Sequence, residues 1–131
     1  MPAYLDTSAF VKLIRSEPES DALRSALSTS ELVSSALLTL EGLRAAARYD
    51  KLAVERAGIA LAAITLLPID EAILDAAAQL HPPALRSLDA LHLATAQSLA
   101  GELDTLYCYD KRLAHAARTL GLPIAQHPVP R

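Results

Sequence analysis

An α/β fold built on a short, mostly parallel central sheet of four or five strands is what this sequence predicts. Three observations carry that expectation. Short β-like apolar runs alternate along the chain with Ala- and Leu-rich stretches of helical period, the pattern of a parallel sheet joined by helical crossovers. Turn and stop residues punctuate the runs, among them His81-Pro82-Pro83, Gly101 and Gly121, because proline cannot extend a helix and glycine commonly ends one. Two of the apolar runs end on an aspartate, Asp6 and Asp110, at the edge where open parallel sheets bind ligands.

Taken in order, Ala3 to Leu5 is read as the first strand, and Ser8 to Arg15 and Glu19 to Leu27 as two helices, the first N-capped by Ser8. Leu32 to Ser35 is the second strand. Ala36 to Tyr49 is helical by its Leu and Ala spacing, and Val54 to Ala63 is a further helix after the Asp50-Lys51 break. Leu66 to Ile69 is the third strand, followed by Asp70 as N-cap of a helix over Glu71 to Leu80. After the proline loop, Ser87 caps a helix running to Ala100, which Gly101 closes. Thr105 to Tyr109 is the fourth strand, Lys111 to Leu120 the last helix, and Pro123 to Ala125 a short fifth strand.

Length and composition bound the function. At 131 residues with 52% hydrophobic content, the chain is expected to form one domain around a single large core. Its longest apolar stretch, near Ala60 to Pro68, is too short to span a bilayer, and Met1-Pro2 runs into AYLD without a leader, so a cytoplasmic protein with no membrane partner is expected. One cysteine, Cys108, excludes an internal disulfide and a thiolate zinc cage. A net charge of −3 argues against a passive nucleic-acid coat. Setting aside four acids discussed next leaves 11 acidic against 12 basic residues, a surface able to carry local basic patches.

Asp6, Glu41, Asp89 and Asp110 each interrupt an apolar stretch: YLDTSAFVKL, LLTLEGLRAAA, SLDALHLATA and LYCYDKRLAHAA. An ionised carboxylate in apolar surroundings protonates, pairs with a cation or binds a metal. No comparable set of Lys or Arg sits inside these stretches, which points to a divalent cation held by oxygen ligands. Asp6 and Asp110 end strands, Asp89 lies in the first turn of a helix starting on the same side, and Glu41 lies early in the helix after the second strand. All four are therefore expected on one rim.

LDTSAFVKL, LEGLRAA, LDALHLATA and YDKRLAHAA, in this order and spacing, resemble a PIN-domain ribonuclease, and most closely the VapC-type toxins of bacterial toxin–antitoxin pairs. The resemblance implies a three-layer α/β/α, Rossmann-like PIN domain over residues 1–131, with Asp6, Glu41, Asp89 and Asp110 as the acidic metal site and Thr7 and Ser8 as the hydroxyl pair beside the first acid. Cys108 stands where many relatives have Thr or Ser. Such a site takes Mg2+ or Mn2+, lowers the pKa of a water and offsets charge on the scissile phosphate. The implied partners are an RNA substrate, a small VapB-like antitoxin whose arginine would supply positive charge to the acids, and a second copy of the chain in a homodimer, giving a heterotetramer or higher complex. The excess of apolar residues over Ala36 to Ala63 suits an interface.

Blander readings exist for each residue. Asp6 or Asp89 alone suits a helix N-cap, Glu41 a solvated helix face, His92 a packed histidine bonded to backbone, and Cys108 a buried strand residue without reactive role. Lys12, Arg15, Arg44, Arg86, Lys111 and Arg112 suit ordinary solvated charges; Arg86, Lys111 and Arg112 are best sited for RNA phosphates. Two further function classes compete: a phosphatase or phosphotransferase with Asp6 as aspartyl nucleophile, although Asp6-Thr7-Ser8 lacks the second Asp of the usual Asp-x-Asp pair, and an inactive interaction module.

Overall fold

A computed structural model describes residues 2–125 of the chain. Among the described residues, β1 (Pro2–Leu5), β2 (Glu31–Ser35), β3 (Thr65–Leu67), β4 (Thr105–Tyr107) and β5 (Ile124–Ala125) form one sheet in the order β3-β2-β1-β4-β5. Every pairing is parallel. The helices are α1 (Thr7–Ile14), α2 (Ser20–Leu27), α3 (Leu37–Ala47), α4 (Lys51–Ala62), α5 (Glu71–Ala78), α6 (Ser87–Gln97) and α7 (Lys111–Thr119), with a 3₁₀ turn at Ala100–Glu102.

Side chains alternate across the central strand, and that alternation divides the core. Ala3 and Leu5 face a cluster containing Phe10 of α1, Leu23 of α2, Leu38 of α3 and Ala57 of α4. Tyr4 faces the opposite cluster, with Leu93 of α6, Leu106 of β4 and Leu113 of α7, while α5 packs on α6. The expected three-layer α/β/α architecture is therefore present, with β1 and β4 at its centre mostly buried. β1 sits at its centre, Tyr4 lying beside Val33 of β2 and Leu106 of β4. From β1 the chain builds outward to β2 and β3, then crosses to β4 and β5 on the other side. The order reverses between β1 and β4, which opens a crevice at their carboxyl ends. There Asp6 N–H donates to the Tyr107 carbonyl at 3.3 Å.

Several boundaries differ from the sequence expectations for local reasons. Asp6, not Ser8, is the N-cap of α1, its carboxylate accepting from Ala9 N–H. The fourth helix begins at Lys51 rather than Val54, because Asp50 caps it through Ala53 N–H. Asp70 caps α5 through Ile73 N–H, as expected. Ser87 is the first residue of α6 and not its cap: Arg86 holds that position in extended backbone, with its side chain committed elsewhere. That helix ends at Gln97, before Gly101, and β3 spans Thr65–Leu67 rather than Leu66 to Ile69. Gly121 adopts a φ of 78° after α7, a region open to glycine at little cost. No helix of the described residues is long and apolar enough to cross a membrane.

Gly42 sets how closely α3 approaches α1. A Cβ added there would stand 2.7 Å from Phe10 Cε2, whereas one at Gly58 in α4 would meet nothing within 4 Å. Phe10 is fully buried, so its ring has little room to yield. Gly42→Ala is expected to destabilise the protein by about 1–3 kcal/mol as an overpacking change, and Gly58→Ala to stabilise it by about 0.5–1 kcal/mol through helix propensity. Denaturant unfolding of the pair checks this. Equal effects would contradict the α1–α3 contact.

Candidate active site

Asp6 follows β1 directly and is 3% exposed. Its extended backbone directs the carboxylate back over the first turn of α1, where Oδ1 accepts from Ala9 N–H at 2.9 Å. Ser8 Oγ lies 2.7 Å from Oδ1 and 2.9 Å from Oδ2, and itself accepts from Tyr109 N–H at 2.8 Å. One hydroxyl thereby ties the start of α1 to the segment after β4. Burial pushes the Asp6 carboxyl above the usual carboxylate range, against the lowering effect of Ser8 and Ala9.

Glu41 reaches the same edge from α3. Thr7 Oγ1 donates to Glu41 Oε1 at 2.6 Å, and His92 Nε2 stands 2.8 Å from that oxygen. Burial raises its carboxyl, but the hydrogen bonds from His92 and Thr7 outweigh that and leave it below the ordinary value. Two neighbouring carboxyls are thus driven in opposite directions, one by desolvation and one by donors.

Asp89 in the first turn of α6 and Asp110 at the N-cap of α7 are joined by a side chain rather than by each other. Arg86 Nε lies 3.0 Å from Asp89 Oδ2, and its Nη2 lies 3.1 Å from Asp110 Oδ2. Asp110 Oδ1 accepts from Arg112 and Leu113 N–H. The Arg86 side chain is 63% exposed, whereas those of Asp89 and Asp110 are 16% and 30% exposed, so the cation lies on the solvent side of the two acids. Arg86 supplies positive charge that the sequence expectation assigned to a partner.

The four acids therefore arrive at one edge, Asp6 held by Ser8 and Ala9, Glu41 by Thr7 and His92, and Asp89 joined to Asp110 by Arg86. Among the described residues, no three His, Cys, Asp or Glu side chains gather closely enough to form a ready cage around an ion. The donor set is nonetheless all carboxylate and hydroxyl oxygen, the chemistry of a hard divalent cation. A guanidinium already drawn onto two of the acids shows their demand for positive charge.

The remaining expected residues divide. Lys111 and Arg112 are exposed at the first two positions of α7, beside Asp110. Lys12 is engaged by Glu17 and Glu19 at 3.0 and 3.1 Å, and lies 5.3 Å from the centroid of the Tyr109 ring, and the Arg15 guanidinium stacks 4.0 Å from the Tyr49 centroid; both have structural duties. Cys108 is fully buried, and burial pushes its thiol well above the usual range, which leaves it a poor nucleophile. His92 departs from expectation: it is bonded not to backbone but to the side chains of Tyr4 and Glu41. Its position three residues after Asp89 was the available signal, while Tyr4 gave none.

The sign of one pH effect follows. Burial lifts the folded-state pKa of Asp6 above its unfolded value, so the associated stability is present at low pH and is lost as pH rises through the folded value. Asp6→Asn retains an oxygen for Ala9 N–H and removes the charge. In the metal-free protein its Tm is expected to exceed the parental value by a few degrees near neutral pH, the gain vanishing below about pH 4, where the unfolded carboxyl is protonated. Thermal melts over a pH series measure this, and a parental Tm at every pH would contradict it.

Comparison with known proteins agrees with this fold. The sequence model of the family described as PIN domain matches residues 3–119. The chain is 49% identical over 122 residues to Ribonuclease VapC46 of Mycobacterium tuberculosis, covering 92% of this chain and 94% of that protein. It is 38% identical over 128 residues to Ribonuclease VapC47 of the same species, covering 93% and 94%. Among solved structures, VapBC2 from Rickettsia felis bound to a DNA fragment from its promoter matches with a TM-score of 0.71 at 15% identity, over 96% of this chain and 98% of that one. Mycobacterium tuberculosis VapC20, described as a Sarcin-Ricin loop cleaving toxin, matches with a TM-score of 0.67 at 15% identity, over 87% and 94%. The two structures speak to fold, and the sequence matches to descent. Matched by the family model over most of its length and 49% identical to a VapC ribonuclease over 92% of its residues, the chain belongs to the PIN-domain family and to its VapC-type members.

Proposed function

We propose that this chain is a metal-dependent endoribonuclease toxin of the VapC type, hydrolysing RNA phosphodiester bonds and held in check by a cognate VapB-like antitoxin. The observation that carries the reading is the set of four acids at the carboxyl edge around β1 and β4, two of them already capped by a guanidinium. Relatives named as ribonucleases, matched over most of both chains, support the reaction class.

In this reading Asp6, Glu41, Asp89 and Asp110 would hold Mg2+ or Mn2+, and the chemistry supplied there would be a lower pKa for the attacking water and an offset of charge developing on the phosphate. Ser8 fixes the Asp6 carboxylate and Thr7 fixes Glu41. Arg86 turns from Asp89 and Asp110 toward solvent, where with Lys111 and Arg112 it receives RNA phosphates. An antitoxin arginine among the same acids would repeat the contact that Arg86 makes within the chain. Leu40 on α3 and Ile59 on α4, 60% and 75% exposed, supply apolar surface for a homodimer and so for a heterotetramer or higher toxin–antitoxin complex. The cytoplasm, where RNA is abundant, is the matching compartment.

The aspartyl-nucleophile reading is disfavoured because Asp6-Thr7-Ser8 lacks the second aspartate of the usual Asp-x-Asp pair. The inactive-module reading predicts no metal-dependent cleavage.

Asp6→Asn and Asp89→Asn are each expected to lower Mg2+-dependent RNA cleavage by about a hundredfold or more, since several kcal/mol of charge stabilisation is at stake. No phospho-aspartate should form in the parental protein. Parental rates in either variant, or capture of a phospho-enzyme, would overturn the assignment.

Arg86→Ala frees two carboxylates and is expected to tighten Mg2+ binding by a few-fold, the small effect typical of ion pairs with an exposed partner. Calorimetric titration checks this. Lys111→Ala with Arg112→Ala, in the Asp6→Asn background, is expected to weaken RNA binding and flatten its salt dependence by about 0.7 in slope for each RNA phosphate that is no longer neutralised. An unchanged slope would remove both residues from the RNA surface.

A further inference from the structure

We propose that Tyr4 and His92 form a buried relay that positions Glu41, committing one of its carboxylate oxygens to the protein and keeping the other for the cation. The inference rests on the reading of Glu41 as part of the metal site. Both residues are buried: Tyr4 is 0% and His92 2% exposed. The Tyr4 hydroxyl stands 2.8 Å from His92 Nδ1, and His92 Nε2 stands 2.8 Å from Glu41 Oε1. Thr7 Oγ1 donates to that same oxygen at 2.6 Å and lies 3.3 Å from Nε2.

The direction of the relay follows from hydrogen-bond capacity. An ionised carboxylate can only accept, so His92 Nε2 carries a proton and donates it to Oε1. The Tyr4 hydroxyl, a donor with no charge to lose, then gives its proton to Nδ1, which fixes the neutral Nε2–H tautomer. The two rings meet edge to face, with centroids 5.9 Å apart and planes at 85°, which restrains the imidazole in the plane that meets Glu41. Both side-chain donors use Oε1, leaving Oε2 as the oxygen for a ligand.

The placement in the fold argues against simple space filling. A buried phenol and imidazole are costly unless their polar atoms are bonded, and apolar side chains would fill the same volume without that requirement. Here the chain of bonds starts on the central strand two residues before Asp6, passes through α6 three residues after Asp89, and ends on Glu41 of α3. It thus ties together the elements that carry three of the four acids. Partners of this kind behind metal-binding carboxylates typically alter metal affinity or activity by about 10–100-fold when removed.

The test begins on the metal-free protein. Nitrogen-15 NMR of the His92 ring in the parental chain should show the Nε2–H tautomer, with the Nδ1 resonance shifted in Tyr4→Phe as its hydrogen bond is lost. Mg2+ titration should then show binding weakened by about 10–100-fold in Tyr4→Phe and His92→Leu, with His92→Gln, whose amide can still donate to Glu41, recovering part of the loss. In cleavage assays kcat should fall with KM for RNA unchanged. An Nδ1–H or doubly protonated parental ring, or parental Mg2+ affinity in Tyr4→Phe, would overturn the relay. Were His92→Leu to misfold, Tyr4→Phe carries the test alone, since it removes only one oxygen. Failure of the parental protein to bind Mg2+ would overturn the ribonuclease reading instead, and the tautomer measurement would still decide the relay.

Discussion

Asp6 follows the central strand of the sheet and is almost wholly removed from water, so its carboxylate must be satisfied inside the protein or remain protonated. The fold supplies neutral donors, Ser8 and the amide of Ala9, but no cation at hydrogen-bond distance among the described residues. Those donors are few against the desolvation, and the carboxyl stays raised. Much of the surrounding structure is arranged around this debt: Ser8 also anchors Tyr109 and so brings Asp110 to the same edge, and Gly42 lets α3 close on α1 so that Glu41 comes within reach of Thr7.

Around that point the acids are held in different electrostatic states. Glu41 is kept ionised by His92 and Thr7, and Asp89 and Asp110 share a guanidinium. Like charges at one edge repel, and the protein limits this by raising one carboxyl, hydrogen-bonding a second and pairing two. Each device can be undone by a divalent cation, which would favour the charged form of Asp6 and take over the work of Arg86. Under the proposed function, such a site would relieve these unfavourable electrostatics on taking up a cation.

Most of the architecture was legible because its signals are local. The alternation of apolar runs with helical stretches predicted the parallel sheet, and Asp70 was recognisable as a cap because a capping residue sits directly against the helix it starts. Ser87 misled for an instructive reason: Arg86 precedes the helix in extended backbone, and its side chain serves Asp89 and Asp110 instead of the helix end. The acids themselves were legible as charges in apolar strings. Their connections were not. Thr7 meets Glu41 across 34 positions and Tyr4 meets His92 across 88, and a hydrogen bond between residues so far apart leaves no pattern in a single sequence. Arg86 read as a candidate for RNA phosphates beside the Asp89 helix, and its bond to Asp110 was hidden because only the fold brings that residue next to it.

Under the proposed function, Asp6, Glu41, Asp89 and Asp110 together hold a divalent-cation site. Substoichiometric Mn2+ added to the parental protein, followed by paramagnetic broadening of assigned NMR signals, locates the ion without reference to activity. Selective broadening at these four residues and at Thr7 and Ser8, relieved by excess Mg2+, is the predicted result. Broadening centred elsewhere on the chain, or none at concentrations of Mn2+ that support cleavage, would contradict it.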